Sequence, residues 1–454
     1  MESGESKVKR RTVIKNANIA NEGRIRKDDL LIIGEVIAKI GQVEIGEDDV
    51  VIDASGLYLL PGVIDGQVHF RDPGLTHKAD MYTESRAAAA GGVTSVVDMP
   101  NTKPNVLTLD IWEEKHLIAA EKSLINYGFF MGINADNMND VLQMDTSQFL
   151  AVSDDGLYFT EKGKLLADNI PILQKLFANC KCIIAVHAER EDIIARNESL
   201  YKEYWGENIP FRLHPKIRSE KACLLATKEL MALAKRYGTR LHILHLTTAE
   251  ESKLFRGDIP LKYKKITTEV CVQHLWFSEK DYDRLGSLIK WNPAIKSEGD
   301  REGLLQALLD DRIDIVTTDH APHTLDEKSG TYFEAVSGAP MVQHSLNIML
   351  EFYKQKKMAL EKVVEKMCHS PAILYQIRNR GFIREGYAAD LVLVDMNSRW
   401  QVTKKNLLYK CGWSPLEGTV FQTNVTHTFV NGNLIYQTGS FYEGIKGQAL
   451  SKYQ

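Results

Sequence analysis

Hydrophobic positions follow one pattern at both ends of the chain and another between them. At the ends, short apolar runs alternate with Gly, Asn and Asp, a pattern that predicts strands joined by hairpins. These runs lie at 12–14, 30–33, 36–40, 50–52, 389–395 and 428–436, the last around an Asn-Gly turn. Neither end has enough apolar sequence for a core of its own. We therefore expect residues 1–60 and 386–454 to form one small β-sandwich domain together.

Between these ends, residues 61–385 alternate continuous apolar strands with helical stretches. This alternation predicts a parallel sheet covered by helices on both faces. A (β/α)8 barrel of the TIM type is the leading topology, and an open doubly wound sheet is the alternative. No GxGxxG or P-loop motif follows an early strand, which favours the barrel. The expected strands are 94–97, 149–152, 182–186, 241–244 and 313–316, and the expected helices 81–90, 219–237 and 300–309.

Composition excludes several classes of protein. Of the 454 residues, 44% are hydrophobic and 26% charged, as in ordinary globular proteins. A net charge of −4 argues against a nucleic-acid partner. No apolar run approaches the ~20 residues that cross a bilayer, and no secretory signal is visible. Six cysteines are too few for a disulfide scaffold, and Cys180-Lys-Cys182 is a weak zinc motif. Reduced cysteines predict a cytoplasmic protein.

The expected strands all stop at residue types that bind metals or substrates. In a barrel, the carboxyl ends of the strands converge on the face that carries the active site. Taken singly, each signal has a simpler explanation, because a lone His or an Asp-Asp-Gly turn is common. Taken together, His and Asp converging on one centre predict a divalent metal, most naturally zinc. The strand ends are 65–71, 98–101, 153–156, 187–189, 245–247, 290–293 and 318–323.

The motifs at these ends resemble those of class I dihydroorotases in the amidohydrolase superfamily. They are HFRDPG at 69–74, MPNT at 99–102, DDG at 154–156, WNP at 291–293, TDHAPHT at 318–324 and GYAADLVL at 386–393. The resemblance implies reversible cyclisation of N-carbamoyl-L-aspartate to L-dihydroorotate in pyrimidine (UMP) biosynthesis. It also implies a small-molecule substrate, zinc as the cofactor and a homodimer, with no nucleic-acid or membrane partner.

By the same resemblance, five residues are expected to bind metal, and one of them also to act as general acid and base. Asp319 has both roles. The sequence cannot separate Asp155 from the adjacent Asp154, so Asp154 is the alternative bridging carboxylate. No lysine occupies that strand end, so no carboxylated lysine is expected. The expected ligands are His69, Asp155, His187, His245 and Asp319.

The expected substrate contacts follow from the free carboxylate that both substrate forms carry. Arg71 is the natural partner, because a guanidinium matches carboxylate geometry. Its simpler alternative is a structural ion pair with Asp72 or Asp98. The resemblance adds Asn101, Asn292, His323, Ser337 and Gly338 as further contacts.

Gln67 departs from the family pattern, which has a His at this position. An amide oxygen is a weaker zinc ligand than an imidazole nitrogen. We therefore expect one tightly bound zinc at His187, His245 and Asp155, and a second site on His69 and Asp319 that is weak or absent.

Two other functions compete with this interpretation. A hydantoinase, dihydropyrimidinase or allantoinase would act on a ring without the carboxylate. Arg71 would then have no substrate carboxylate to bind. A non-catalytic, dihydroorotase-like scaffold subunit is suggested by Gln67 alone, because the other expected site residues are present. Segments 156–168 and 324–340 are candidates for mobile loops.

Overall fold

The computed structural model describes residues 10–145, 149–154 and 170–453. The strands are β1 (Arg11–Asn21), β2 (Arg24–Ile33), β3 (Val36–Ile40), β4 (Val50–Asp53), β5 (Tyr58–Pro61), β6 (Val63–Val68), β7 (Val93–Asp98), β8 (Asn126–Phe129), β9 (Met131–Gly132), β10 (Ala151–Ser153), β11 (Ile183–Val186), β12 (Leu241–Ile243), β13 (Ile266–Cys271), β14 (Ile315–Thr317), β15 (Leu391–Asp395), β16 (Trp400–Gln401), β17 (Val420–Phe421), β18 (Asn424–Val430), β19 (Asn433–Gln437) and β20 (Ser440–Phe441).

The helices lie mainly between the strands of the central region. They are α1 (Met81–Ala90), α2 (Leu109–Lys122), α3 (Met138–Gln143), α4 (Ile170–Asn179), α5 (Glu191–Trp205), α6 (His214–Ile217), α7 (Glu220–Tyr237), α8 (Ala249–Ser252), α9 (Val272–Trp276), α10 (Tyr282–Leu285), α11 (Glu298–Leu309), α12 (Ser345–Lys354), α13 (Leu360–Val364) and α14 (Ser370–Leu374). No helix in the described ranges is long and apolar enough to span a membrane.

Strands β6 to β14 form a closed parallel barrel. Each pairs in parallel with the next, and β8 and β9 share one position in the ring, interrupted at Phe130. A parallel bridge between Val68 and His320 joins the first and last strands. Both faces of β6 and β7 are buried, as expected for strands between a filled interior and a layer of helices. The predicted barrel topology is therefore observed.

The two chain ends form one nine-stranded sheet with an apolar core of its own. Its order is β20-β19-β18-β15-β5-β1-β2-β3, with β4 beside β1. Strand β15 lies between β5 from the first part of the chain and β18 from the last. The β18–β19 turn uses Asn431 and Gly432, both at positive φ, as the Asn-Gly signal predicts. Since β5 runs to Pro61, the exact domain boundaries at 60/61 and 385/386 stay predictions.

Candidate active site

A cavity opens at the carboxyl ends of the barrel strands, where the sequence placed its candidate residues. Its wall is formed by residues that follow β6, β7, β11, β12 and β14, and by residues of the segment between β13 and β14. The lining residues are His69, Arg71, Asn101, His187, Glu189, His245, Trp291, Asn292, Asp319, Ala321, Ser337 and Gly338. Most of the expected contacts therefore meet in one place.

On one side of the cavity, His69 lies between an amide and a carboxylate. Its Nδ1 is 2.8 Å from Asn101 Oδ1, and its Nε2 is 2.9 Å from Asp319 Oδ1. Because an amide oxygen only accepts, Nδ1 carries the proton and donates it to Asn101. The Nε2 atom then faces the Asp319 carboxylate, so the two groups are placed where they could share a cation.

On the other side, His187 is held by Asp154. The buried Asp154 carboxylate places Oδ1 2.8 Å from His187 Nδ1 and also contacts the His187 backbone N–H. Asp155, the first choice of the sequence analysis for the bridging ligand, lies outside the described residues. Among the described residues, Asp154 is therefore the carboxylate found at this strand end.

His245 packs against His187 with its ring tilted, and it is fully buried. Its ring centroid lies 4.8 Å from that of His187, and its backbone N–H donates to Glu269 Oε1 at 3.3 Å. Burial, together with the neighbouring His187, lowers the pKa of His245 well below its ordinary value. The imidazole is thus neutral, the form that binds metals. Its Nδ1 is buried and has no hydrogen-bond partner among the residues that the structure describes.

Three non-glycine residues of the cavity wall have backbones in the left-handed region. Their φ angles are 65° for Arg71, 34° for His245 and 45° for Asp319. Such conformations cost about 1–3 kcal/mol for non-glycine residues and concentrate at functional sites. The surrounding barrel compensates for this strain at the residues that the sequence singled out.

The donor set fits a zinc ion in kind. A neutral imidazole at His245, carboxylates beside His69 and His187, and a buried His245 ring nitrogen that meets no hydrogen-bond partner within the described ranges are what such an ion requires. However, no group of three His, Cys, Asp or Glu side chains lies close enough together to hold a metal ion among the described residues 10–145, 149–154 and 170–453. The donors form two pairs, His69 with Asp319 and His187 with Asp154.

Gln67 lies beneath the cavity and is completely buried. Within the described part of the chain its Nε2 has no hydrogen-bond partner, and its Oε1 is 4.0 Å from the Cys271 thiol. An unsatisfied buried amide group costs about 1–3 kcal/mol. The side chain that replaces the family's histidine is therefore poorly satisfied by its protein neighbours.

Arg71 supplies the positive charge of the cavity wall. Its Nε donates to the Pro322 carbonyl at 3.3 Å, and its Nη2 lies 3.1 Å from His323 Nε2. The carboxylates considered as structural partners have lysines instead. Asp72 is 2.9 Å from Lys122 Nζ, and Asp98 is 2.7 Å from Lys115 Nζ.

Two segments carry the remaining expected contacts. Ser337 Oγ donates to Asn292 Oδ1 at 3.1 Å, which joins the segment after β14 to the Asn292 segment. Behind them, the buried Lys328 Nζ donates to the carbonyls of Val336 and Gly338 at 2.7 and 2.8 Å. The mobility expected for 324–340 stays a prediction, and 156–168 lies outside the described residues.

His323 does not line the cavity, unlike the other expected substrate contacts. It is buried behind Arg71 and meets Arg71 through Nε2. The motif around His323 could not show this, because two neighbouring positions of a loop can face opposite directions.

Comparison with known proteins gives the relationship of this chain. A profile of the amidohydrolase family matches residues 58–435. The dihydroorotase of Methanosarcina acetivorans is 31% identical over 443 residues, covering 94% of this chain and 92% of its own. The dihydroorotase of Carboxydothermus hydrogenoformans is 32% identical over 434 residues, covering 94% and 98%. The chain belongs to the amidohydrolase family.

The fold of this amidohydrolase is shared by solved structures. The L-hydantoinase (dihydropyrimidinase) from Arthrobacter aurescens superposes with a TM-score of 0.90 at 24% identity, covering 97% of this chain and 99% of that one. This likeness confirms the fold class, a barrel with a β-sandwich domain. Members of the family generally depend on a metal, typically zinc.

The amidohydrolase also has a cavity residue that the sequence analysis did not single out. Glu189 lines the wall, and its Oε2 is 2.7 Å from Arg218 Nη2, with both side chains buried. Glu189 stands two residues after His187, at a strand end that the sequence analysis identified. Its position near a candidate ligand was the only indication of Glu189 in the sequence. The contact with Arg218 could not be predicted, because Arg218 is distant in sequence.

Proposed function

We propose that this amidohydrolase is a dihydroorotase, which interconverts N-carbamoyl-L-aspartate and L-dihydroorotate in pyrimidine biosynthesis. The observation that carries the proposal is Arg71, a buried guanidinium on the wall of the cavity that also collects His69, His187 and His245. A fixed cation beside metal-binding donors suits a cyclic amide with a carboxylate on its ring. The named dihydroorotases that match over nearly the whole chain support the same reaction.

The residues proposed to hold zinc are His69, His187, His245 and Asp319, with a carboxylate of the 154–155 pair. When bound, zinc lowers the pKa of a coordinated water and polarises a carbonyl. We propose one tightly bound ion at His187 and His245. Gln67 leaves the His69 and Asp319 side short of an imidazole, so a second ion there is weak or absent.

Asp319 is the proposed general acid and base. In ring opening, its carboxylate takes a proton from the attacking water and delivers it to the ring nitrogen that leaves. In ring closure, it takes a proton from the carbamoyl nitrogen as the new C–N bond forms, and delivers it to the hydroxyl group of the side-chain carboxyl, which leaves as water. The position of Asp319 on the cavity wall, 2.9 Å from His69 Nε2, suits this role.

The other cavity residues hold the substrate. Arg71 binds the ring carboxylate, while Asn101 keeps its amide nitrogen for the substrate because its oxygen accepts from His69. Asn292, Ser337 and Gly338 line the same cavity and are the other proposed substrate contacts. We propose an indirect role for His323, through Arg71.

The decisive experiment is a substrate comparison on the zinc-loaded protein. We expect turnover of dihydroorotate and carbamoyl aspartate, and little turnover of dihydrouracil, hydantoin or allantoin. Arg71→Gln should lower kcat/KM for dihydroorotate roughly 10- to 100-fold, the worth of hydrogen bonds to a charged group. Asp319→Asn should lower kcat about 10²- to 10⁴-fold. Preference for an uncarboxylated ring would refute the proposal, and metal-free, inactive protein would favour the scaffold.

The setting of the enzyme is proposed on weaker grounds. All six cysteines are free, as expected in the cytoplasm. The resemblance suggests a homodimer, which sedimentation analysis would check.

A further inference from the structure

Behind the cavity wall, His323 lies between two cationic side chains. Arg71 Nη2 is 3.1 Å from its Nε2, and Lys78 Nζ is 3.1 Å from its Nδ1. All three side chains are buried. Burial, with the charges of Arg71 and Lys78, holds the pKa of His323 well below its ordinary value, so the ring is neutral.

A neutral imidazole cannot satisfy both neighbours. It has one N–H donor and one lone pair, whereas a guanidinium and an ammonium only donate. One of the two ring nitrogens must therefore present its hydrogen to something other than these cations. Glu327 provides that acceptor, because its Oε2 lies 3.4 Å from His323 Nδ1.

Glu327 is itself held firmly in place. Its Oε2 accepts from the Thr324 backbone N–H at 3.0 Å, and its own N–H donates to Thr324 Oγ1 at 3.2 Å. Its Oε1 is 3.2 Å from both Lys78 Nζ and His77 Nε2. The hydrogen bond from His323 is the main cause that lowers the pKa of Glu327, so the carboxylate is ionised.

We propose that Glu327 is a positioning residue for the substrate-carboxylate subsite. It takes the Nδ1 proton of His323 and leaves the Nε2 lone pair to accept from Arg71. Lys78 neutralises Glu327 and donates to it, not to the ring.

This tautomer sets the direction of the Arg71 guanidinium. With Nε donating to Pro322 O and Nη2 donating to His323, the guanidinium plane is fixed at two points. Arg71 lines the cavity, so this fixed guanidinium is the group that we propose meets the carboxylate of the substrate. The inference rests on the proposed function, since it assumes that Arg71 binds that carboxylate.

The first test is Glu327→Gln, which keeps the shape of the side chain. A glutamine amide can donate to Nδ1 and move the ring proton to Nε2, where it opposes the Arg71 N–H. We expect KM for dihydroorotate to rise roughly 10- to 100-fold, with kcat changed less than threefold. The slow turnover of dihydrouracil, which has no carboxylate, should stay within twofold. A general loss of structure would lower both activities together.

Asp326→Asn is the matched control, since it removes the same charge from the adjacent, exposed position. It should leave both substrates unaffected. Zinc content and melting temperature of each variant show that the comparison is between folded, loaded proteins.

The second test reads the tautomer directly and needs no variant to fold well. Two-bond ¹H–¹⁵N spectra of ¹⁵N-histidine-labelled, zinc-loaded protein distinguish a protonated Nδ1 from a protonated Nε2, with His323→Gln to assign the signals. We expect the proton of His323 on Nδ1 in the wild type and on Nε2 in Glu327→Gln. A wild-type proton on Nε2 would mean that Lys78 donates to the ring, and the inference would be overturned.

The two proposals fail in different ways. If wild-type protein turns over dihydroorotate and Glu327→Gln leaves KM unchanged, the role of Glu327 is refuted and the dihydroorotase stands. If the wild type turns over neither dihydroorotate nor carbamoyl aspartate, the proposed function falls, and the role of Glu327 in binding falls with it.

Discussion

Single carboxylates fix the orientation of imidazole rings around the cavity. Asp154 does so for His187, at 2.8 Å from Nδ1, while Asn101 uses an amide oxygen for His69 at the same distance. Groups that hold a metal-binding His by its other ring atom set both its tautomer and its basicity. The chemistry of this cavity therefore depends on residues that need not touch the substrate.

Asp154→Ala should weaken zinc binding roughly 10- to 100-fold, because the variant removes the carboxylate that lies 2.8 Å from His187 Nδ1 and orients its ring. Zinc retained during dialysis against chelators of graded strength measures the effect. Asp136→Ala, an exposed change of the same kind, is the control. Unaltered zinc retention in Asp154→Ala would contradict this role of Asp154.

Gln67→His should raise the zinc content from about one toward two ions per chain, because it adds the missing imidazole to the His69 and Asp319 side. His187→Ala or His245→Ala should abolish both zinc retention and turnover. Elemental analysis of the purified proteins measures the stoichiometry. Two equally tight ions in the unmodified protein would contradict the asymmetry.

At the scale of elements, barrel strands and their helices bring together groups that are distant in sequence. Helix α8 is an example, since its Glu251 carboxylate is completely enclosed. Oε1 accepts from Thr227 Oγ1 on α7, and Oε2 accepts from Thr248 Oγ1, both at 2.8 Å. Burial raises the pKa of Glu251 to about 7, so the folded protein binds a proton that the unfolded chain releases near pH 4.5.

This proton makes stability depend on pH. The contribution of Glu251 is complete below about pH 4.5 and is lost as the pH rises through about 7. The unfolding free energy of the wild type, relative to Glu251→Gln, should fall by about 3 kcal/mol over that range. Urea unfolding at a series of pH values measures the difference. Glu250→Gln, at the exposed neighbouring position, should show no such fall.

At the scale of the whole molecule, buried polar groups join the barrel to the terminal sheet. Asp390 accepts from Asn126 Nδ2 at 3.0 Å and from the Asn431 backbone N–H at 2.8 Å, and it pairs with Arg380. Asn126 belongs to barrel strand β8, whereas Asn431 lies in the β18–β19 turn of the terminal sheet. One carboxylate therefore ties the two parts together.

Asp390→Ala should destabilise the protein by about 3–5 kcal/mol, because it leaves the buried Arg380 guanidinium without its carboxylate. Calorimetry or urea unfolding measures the loss, and Asp48→Ala on the surface should change stability little. Equal stability of the two variants would show that the terminal sheet docks mainly through its apolar contacts.

The sequence by itself determined the barrel, the terminal β-domain and the residues at the strand ends. Hydrophobic periodicity reports which faces are buried, and the parallel topology then brings all carboxyl ends together. The family motifs added expected roles for His69, His187, His245 and Asp319, which the fold brings to one cavity.

Only the tertiary structure decided which neighbours each of these side chains meets. Three contacts could not be predicted: Asp154 with His187, His323 with Arg71, and Glu189 with Arg218. They join residues that are far apart in sequence, and the sequence pattern could not separate Asp154 from the adjacent Asp155. Periodicity states which side of a strand is buried. It cannot state where a loop residue points, because that direction is set by packing between segments up to hundreds of residues apart.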